Sequence, residues 1–252
     1  MLRFIDCNCV VGLPVSARGF RLCDPAGIER VSRDCGVAGV FAHHCAAFDL
    51  HPIDGNDAID RVCAKNSFFR PVWVLIPNDT GEFYDAESLT CRMKQHNIRL
   101  ARVFPRYNDH GFSLAQWSAG PLFAVLAHTG IPLLIDADQT DWDGINELME
   151  TYPEITVIVT NIYYRYARYI LPLLKRHKNL YCETSGLRSF SLLQSFCETA
   201  GADCLVFGTG MGLYSAGSAV AMVTYAGISQ IEKEAIACDN LCRILKTDRD
   251  DL

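Results

Sequence analysis

The chain has 252 residues, of which 50% are hydrophobic and 21% charged, and its formal net charge is −6. This apolar content excludes an intrinsically disordered chain, and the acidic balance gives no support to a nucleic-acid or anionic-membrane surface. A chain of this length can bury a full core as one domain, as α/β barrels do, so we treat residues 1–252 as one domain.

The sequence carries no sign of export. Arg3 and Asp6 flank a short apolar stretch at the N-terminus, which is not the pattern of a secretory signal. Apolar runs are interrupted well before 18 residues, so no transmembrane helix is expected. The 12 cysteines are scattered and form no CxxC pair. We therefore expect a cytoplasmic protein with free thiols rather than disulfides.

Eight short apolar runs recur at intervals of about 30 residues, the spacing of βα units. They predict strands at 2–9, 36–42, 71–76, 98–104, 131–137, 155–160, 179–184 and 202–207. Several are continuously apolar, which is typical of strands buried on both faces of a parallel sheet.

Helical patterns follow each of these runs. They predict helices at 24–35, 113–130, 141–151, 166–177 and 229–246, and loops at 105–113 and 208–218. Asp24 and Pro25 form a helix-start signal, and Gly130 suits a left-handed C-cap. The alternatives are an open doubly wound sheet and a closed (β/α)₈ barrel. Eight β-units without a GxGxxG turn favour the barrel, in the α/β class.

Six segments, taken in order, carry a resemblance to a known family. They are FIDCNCVVG at 4–12, IPLLID at 131–136, YPEITVIVTN at 152–161, NLYCETS at 179–185, LVFGTG at 205–210 and NLCRIL at 240–245. Together they resemble the amidohydrolase-related family of metal-dependent hydrolases and decarboxylases on TIM barrels. The resemblance covers nearly the whole chain and implies a single-domain barrel of that type.

The same segments depart from the metal-ligand pattern of that family. The family has Asp-x-His-x-His on strand one, His at the ends of strands five and six, and Asp after strand eight. At those positions this chain has Asn8, Val10, Asp136, Asn161 and Gly210. A zinc site needs about three His, Asp, Glu or Cys ligands, and only Asp136 qualifies. The departures predict a diverged subgroup with no metal and no other cofactor.

Alternation along strand one bears on whether cysteines could replace the missing ligands. If Asp6, Asn8 and Val10 point into the barrel, Cys7 and Cys9 point outward to the helices. There they would act as small hydrophobic residues rather than as metal ligands.

Active sites of TIM barrels lie at the C-terminal ends of the strands, so polar residues there are the candidates. Arg102 stands in an apolar strand, where a guanidinium is costly unless it meets a carboxylate or an anionic ligand. One interpretation is an anchor for a substrate carboxylate or phosphate. The other is an ion pair with Asp136, Glu183 or Asp6.

Three residues are predicted to be catalytic because they can transfer protons at the strand ends. Asp136 and Glu183 offer an acid and a base. Of the adjacent His43 and His44 only one can face the barrel, and alternation counted from Val40 favours His44. Each of these groups also has a non-catalytic interpretation, as a counter-ion or as a structural residue held by hydrogen bonds.

Four further residues are predicted to bind the substrate with Arg102. Asn8 and Asn161 would orient it by hydrogen bonds. Tyr164 belongs to a tyrosine cluster that either lines a pocket or simply begins a helix. Thr209 lies in a glycine-rich stretch that either cradles an anion or leaves space where a metal-binding Asp would stand.

These residues predict a hydrolase or lyase that acts, without a metal, on a small anionic carbonyl compound. The alternative is a non-catalytic small-molecule-binding or regulatory protein on the same barrel. A third possibility is a metal held by Asp6, Asp136 and His44. No nucleic-acid or membrane partner is expected, and a homodimer remains open.

Overall fold

A computed structural model describes residues 2–13, 23–189 and 191–252. Its eight strands are β1 (Phe4–Val11), β2 (Val37–His44), β3 (Phe69–Val74), β4 (Leu100–Val103), β5 (Leu133–Asp136), β6 (Val157–Thr160), β7 (Leu180–Glu183) and β8 (Leu205–Val206). All eight predicted strands are confirmed, with ends that shift by at most three residues. Their apolar runs are buried along nearly their whole length, as the pattern predicts.

The strands form one parallel sheet in chain order, and the sheet closes on itself. Each strand from β1 to β8 pairs with the next. The closing contacts join β1 to the chain after β8: the Cys7 N–H donates to the Phe207 carbonyl at 3.1 Å, and the Gly210 N–H donates to the Asn8 carbonyl at 2.9 Å. The fold is therefore a (β/α)₈ barrel, as predicted.

Helices surround the barrel. They are α1 (Pro25–Asp34), α2 (Ala46–Asp49), α3 (Pro52–Lys65), α4 (Ala86–Gln95), α5 (Gln116–Thr129), α6 (Trp142–Thr151), α7 (Ala167–Arg176), α8 (Leu192–Ala200), α9 (Ala216–Thr224), α10 (Gln230–Glu234) and α11 (Asn240–Leu245). Asp24 caps α1 by accepting from the Gly27 N–H at 2.7 Å, and Gly130 ends α5 with φ of 68°. No helix in the described ranges has the length and hydrophobicity needed to cross a membrane.

No bounds were predicted from the sequence for five of the observed helices, α2, α3, α4, α8 and α9. The segment 208–218, predicted as a loop, is irregular only until α9 begins at Ala216. The five predicted helical segments are all confirmed, although α5 is kinked at Ala119 and the last segment is divided by a π-helical turn between α10 and α11.

Strand β1 changes face partway along, which contradicts the simple alternation expected for it. Its pairing with β2 advances three residues from Asp6 to Cys9 while β2 advances two, so β1 contains a bulge. Before the bulge, Ile5 and Cys7 pack inside the barrel; after it, Cys9 packs against the helices. The prediction was therefore right for Cys9 and wrong for Cys7.

The inner core fills the N-terminal end of the barrel, and α11 covers it. Side chains from all eight strands join residues of α11 and its preceding turn in one buried cluster, which includes Phe41, Leu100 and Leu241. The opposite end carries buried polar residues such as Asn8 and Arg102 beside apolar ones such as Phe104. All 12 cysteines lie in the described ranges as free thiols, as expected.

Candidate active site

A cavity of about 240 Å³ opens at the C-terminal ends of the strands, where TIM-barrel sites lie. Its lining includes residues from six strands or the loops after them. Asn8, Val10, Asp136, Asn161 and Gly210, the five positions that the resemblance assigns to metal ligands, all line this one cavity. The five positions therefore converge on one cavity, as expected for strand ends of one barrel.

Arg102 is the only cation of the described residues that lies buried in the cavity wall; its exposed fraction is 3%. Its Nη1 lies 3.2 Å from Asp136 Oδ1, and its Nη2 donates to Asn8 Oδ1 at 2.7 Å. Thr160, which the sequence did not single out, accepts from Nη2 at 3.4 Å and donates to Asp136 Oδ1. The ion pair predicted as one alternative is thus present.

Two polar atoms on these walls are buried without a partner. They are Nε of Arg102, a donor, and Oδ1 of Asn161, an acceptor. Asn161 follows β6 with φ of 55°, a left-handed conformation that asparagine tolerates. Because buried polar groups are nearly always satisfied, these two atoms call for a ligand or water.

Glu183 lies under the cavity floor and does not line the cavity, contrary to its predicted catalytic position. It is fully buried and accepts from Asn8 Nδ2 at 3.0 Å, from the Asn161 N–H at 3.4 Å and from Ser185 Oγ at 2.8 Å. Its inward place on β7 is as expected, but these three donors surround its carboxylate, and it does not line the cavity. Burial raises its pKa, and the hydrogen bonds from Ser185 oppose that shift. Glu183 therefore positions the two asparagines.

Asp6 is likewise buried away from the cavity, at the seam between β1 and β8. It accepts from the Asn8 N–H at 2.8 Å and from the Thr209 N–H at 2.9 Å. Burial raises its pKa to about 7, although the hydrogen bonds from Thr209 and Asn8 lower it. Thr209, predicted to bind substrate, is fully buried with its hydroxyl donated to Asp6. Its role is to close the seam.

The preference for His44 over His43 was wrong. Val40 and Ala42 pack against the helices while Phe41 packs inside the barrel, so the alternate position, His43, faces the cavity. His44 points to the outer side, where Nδ1 accepts from the Ala46 N–H at 3.1 Å. Burial, followed by the charge of Arg102, holds the pKa of His43 well below its usual value, so its ring is neutral at neutral pH.

The rim between β6 and β8 is made by two tyrosines. The hydroxyl oxygens of Tyr163 and Tyr214 are 2.6 Å apart, and the Arg188 guanidinium lies 3.5 Å from the centre of the Tyr214 ring. Both tyrosines line the cavity. Tyr164, the predicted binding residue, is 52% exposed and does not line it. The tyrosine cluster therefore begins a helix and also lines the cavity, but the member that lines the cavity is Tyr163 rather than Tyr164.

A second polar group closes the rim between β4 and β5. Arg106 lies 2.9 Å from Asp109 and 3.0 Å from Asp138, and its backbone N–H donates to Gln139 at 3.2 Å. Gln139, Tyr214 and the apolar Phe104 were not predicted as site residues. Phe104 and Gln139 follow strand ends directly, which was a usable signal; Tyr214 comes from a long loop and had none.

With Arg102 in place, the donor set does not fit the divalent metal that the resemblance implies. Within the described ranges, no three His, Cys, Asp or Glu side chains are grouped so that they could hold a metal ion. The proposed set of Asp6, Asp136 and His44 does not converge, because Asp136 alone lines the cavity. A side chain at Gly210 would meet the Tyr214 ring at 2.6 Å. Moreover, Asp136 already has a cation beside it, Arg102.

The arrangement can bind and move protons. One carboxylate, Asp136, keeps Oδ2 free of hydrogen bonds from the described residues, while Oδ1 is occupied. The Arg102 guanidinium has an unpaired Nε donor, and the Asn161 amide has an unpaired Oδ1 acceptor. The neutral imidazole of His43 also lines the cavity. Such a set suits a small carbonyl or carboxylate compound that also offers a hydrogen-bond donor.

Comparisons with known proteins place the fold. No family model and no curated protein matches the sequence. An uncharacterised TIM-barrel protein from Bordetella bronchiseptica matches in structure with a TM-score of 0.77 and 16% identity, over 97% of this chain and 99% of that one. A dihydroxybenzoic acid decarboxylase from Polaromonas, solved with manganese and 2-nitroresorcinol, matches with a TM-score of 0.76 and 15% identity. The match covers 100% of this chain and 99% of that one.

A third match is described as an amidohydrolase II; its TM-score is 0.73 at 13% identity, over 96% of this chain and 99% of that one. Identities this low establish the fold and not the activity. The chain therefore has the TIM-barrel fold found in amidohydrolases and aromatic-acid decarboxylases, as the resemblance in its sequence predicts.

Proposed function

We propose that this chain is an amidohydrolase-like lyase or hydrolase that acts on a small anionic carbonyl compound without a catalytic metal. The observation that carries the proposal is Arg102, a permanently charged side chain buried in the cavity wall with an unused Nε donor. A substrate carboxylate or carbonyl oxygen would satisfy that donor. The names of the decarboxylases with the same fold support this class of substrate.

The roles follow from the contacts. Arg102 binds the substrate oxygen through Nε while its terminal nitrogens stay on Asp136 and Asn8. Asn161 accepts a hydrogen bond from a substrate hydroxyl or amine through Oδ1. Asp136 takes or returns a proton through Oδ2 beside the bound group. His43 contributes a neutral hydrogen bond, since its low pKa keeps it uncharged.

Turnover of a panel of carboxylates tests this proposal. The panel contains 5-carboxyvanillate and dihydroxybenzoates, the compounds named for proteins of the same fold, together with aliphatic keto acids, all assayed in EDTA. We expect one class to lose carbon dioxide or a hydrolysable group, and Arg102→Met and Asp136→Asn to lower kcat/KM by at least about 100-fold. Asp138→Asn is the matched control, because Asp138 is an exposed rim carboxylate.

The histidine pair offers a second control in the same assay. His43→Asn should lower kcat/KM, whereas His44→Asn should leave it within about twofold, because only His43 lines the cavity. Activity that survives in both Arg102→Met and Asp136→Asn would contradict the assigned site. Equal losses in the two histidine variants would contradict the role of His43.

A binding protein is the second candidate, and one observation favours it. Asp136 is already paired with Arg102 and accepts from Thr160, so its Oδ1 is occupied before any substrate binds. The two functions differ in one measurement. A carboxylate that raises the Tm of the wild-type chain but is recovered unchanged after long incubation supports binding alone.

A further inference from the structure

We propose that the guanidinium of Arg102 has taken the place of the divalent cation in this barrel, and that the oxygens around it form a latent cation site. The inference concerns the cavity of the proposed function, but it does not require turnover. With Arg102 in place the donor set does not fit a metal ion, and the same donors hold the guanidinium instead.

The geometry places the guanidinium among oxygens from three strands. Nη2 contacts Asn8 Oδ1 on β1 at 2.7 Å and Thr160 Oγ1 on β6 at 3.4 Å, while Nη1 lies 3.2 Å from Asp136 Oδ1 on β5. One carboxylate, one amide oxygen and one hydroxyl converge on a single cation. Hard divalent cations such as Mg²⁺ and Mn²⁺ prefer oxygen ligands of these kinds.

The positions involved strengthen the inference. Asn8 and Asp136 are two of the five positions at which related barrels carry metal ligands, and both bind the guanidinium directly. The other three cannot compensate: Val10 has no donor, Gly210 is covered by the Tyr214 ring, and the Asn161 side-chain oxygen has no protein partner. The positive charge that a bound metal ion would supply is therefore supplied by the Arg102 guanidinium.

Arg102 also explains why a divalent cation should not enter. Its charge is permanent at any ordinary pH, and its exposed fraction is only 3%. A metal ion at the same oxygens would lie next to a buried like charge, and it would have to share the single carboxylate of Asp136. Removal of the guanidinium should leave that carboxylate without a cation and ready to accept one.

The test measures thermal stability of the wild type and of Arg102→Ala with MnCl₂ and, separately, with guanidinium chloride at low millimolar concentration. We expect the wild-type Tm to change by less than about 1 °C with either cation. The Arg102→Ala variant should rise by about 4 °C at a tenfold excess of cation over its Kd. In Arg102→Ala/Asp136→Asn both rises should disappear, because the carboxylate that holds the cation is gone.

Two outcomes overturn the proposal. One is about one equivalent of Mn²⁺ bound by the wild type in equilibrium dialysis at 0.1 mM, a measurement that does not depend on whether a variant folds. The other is an Arg102→Ala variant that folds but gains no stability from either cation. A chain that turns over no carboxylate would refute the proposed function and would leave these results unaffected.

Discussion

The guanidinium of Arg102 and the carboxamide of Asn8 share a 2.7 Å hydrogen bond that spans the barrel from β4 to β1. The same amide donates to Glu183 at 3.0 Å, so a buried carboxyl group, an amide and a cation lie in sequence beneath and along the cavity. Asn8 can do this because an amide carries both a donor and an acceptor. An ionised carboxylate at position 8 could not serve both neighbours, because it has no donor for Glu183.

The Arg102–Asp136 pair should behave as a buried ion pair. Arg102→Met should lower the free energy of unfolding by about 3 kcal/mol, because it leaves a largely buried carboxylate without its cation. Arg102→Met/Asp136→Leu should recover more than half of that loss. Urea denaturation measures both. Arg106→Met is the control at the exposed rim and should cost less than about 1 kcal/mol. A double variant as unstable as the single one would contradict this account.

Gly210 should tolerate a side chain less well than another glycine of similar backbone conformation. Gly210 has φ of 61° and a Cβ there would lie 2.6 Å from the Tyr214 ring, whereas Gly81 has φ of 76° and open space around it. Gly81→Ala should cost about 1 kcal/mol from backbone strain alone, and Gly210→Ala about 3 kcal/mol. Chemical denaturation compares the two. Equal losses would show that the ring moves aside freely.

Asp6 should make stability depend on pH. Its pKa is about 7 in the folded chain, above its ordinary value of 3.8, so between about pH 4 and 7 the folded carboxyl holds a proton that the unfolded one has lost. This contribution is present below pH 4 and is lost as the pH rises through 7. Asp6→Asn should therefore gain stability relative to the wild type as the pH rises from 4 to 8. Denaturation midpoints at several pH values test this; parallel profiles would contradict it.

The cysteines should react with thiol reagents in an order set by exposure. Cys91 on α4 is exposed, whereas Cys7, Cys9 and Cys182 are fully buried, with pKa values raised well above the usual range mainly by burial. A thiolate is the reactive form, so buried thiols are slow. Under native conditions Cys91 should be modified first, and Cys91→Ser should remove the fast phase. Mass spectrometry after brief labelling identifies the residue.

The fold could be predicted because its signals are local and repeated. Each strand is a continuous apolar run, and the eight runs have the spacing of βα units. The convergence of Asn8, Asp136 and Asn161 followed from the same reasoning, since strand ends of one barrel meet at one mouth. The pairing of Arg102 with Asp136 was one of two stated alternatives, because a buried guanidinium needs a partner.

Depth and face were harder to predict than position along the chain. His43 was missed because alternation gives two faces but not which one is inside. Glu183 points inward as expected, yet its carboxylate is fully buried against Asn8 and does not line the cavity. Tyr214 enters from a loop through contacts with Tyr163 and Arg188, and nothing local in the sequence indicates them. The placements of these three side chains depend on how the strands pack in the barrel and how the loops fold back over it. Those are tertiary contacts, which the local sequence pattern does not indicate.

The bulge in β1 lets a single strand serve two purposes. Its first half supplies Ile5 and Cys7 to the inner core of the barrel, and its second half presents Asn8 and Val10 to the cavity. In a strand of strict alternation, Cys7 and Asn8 would lie on opposite sides of the wall. Deletion of one residue at the bulge would therefore turn one half of β1 to the wrong face. The strand could then contribute to the packed interior or to the polar cavity, but not to both.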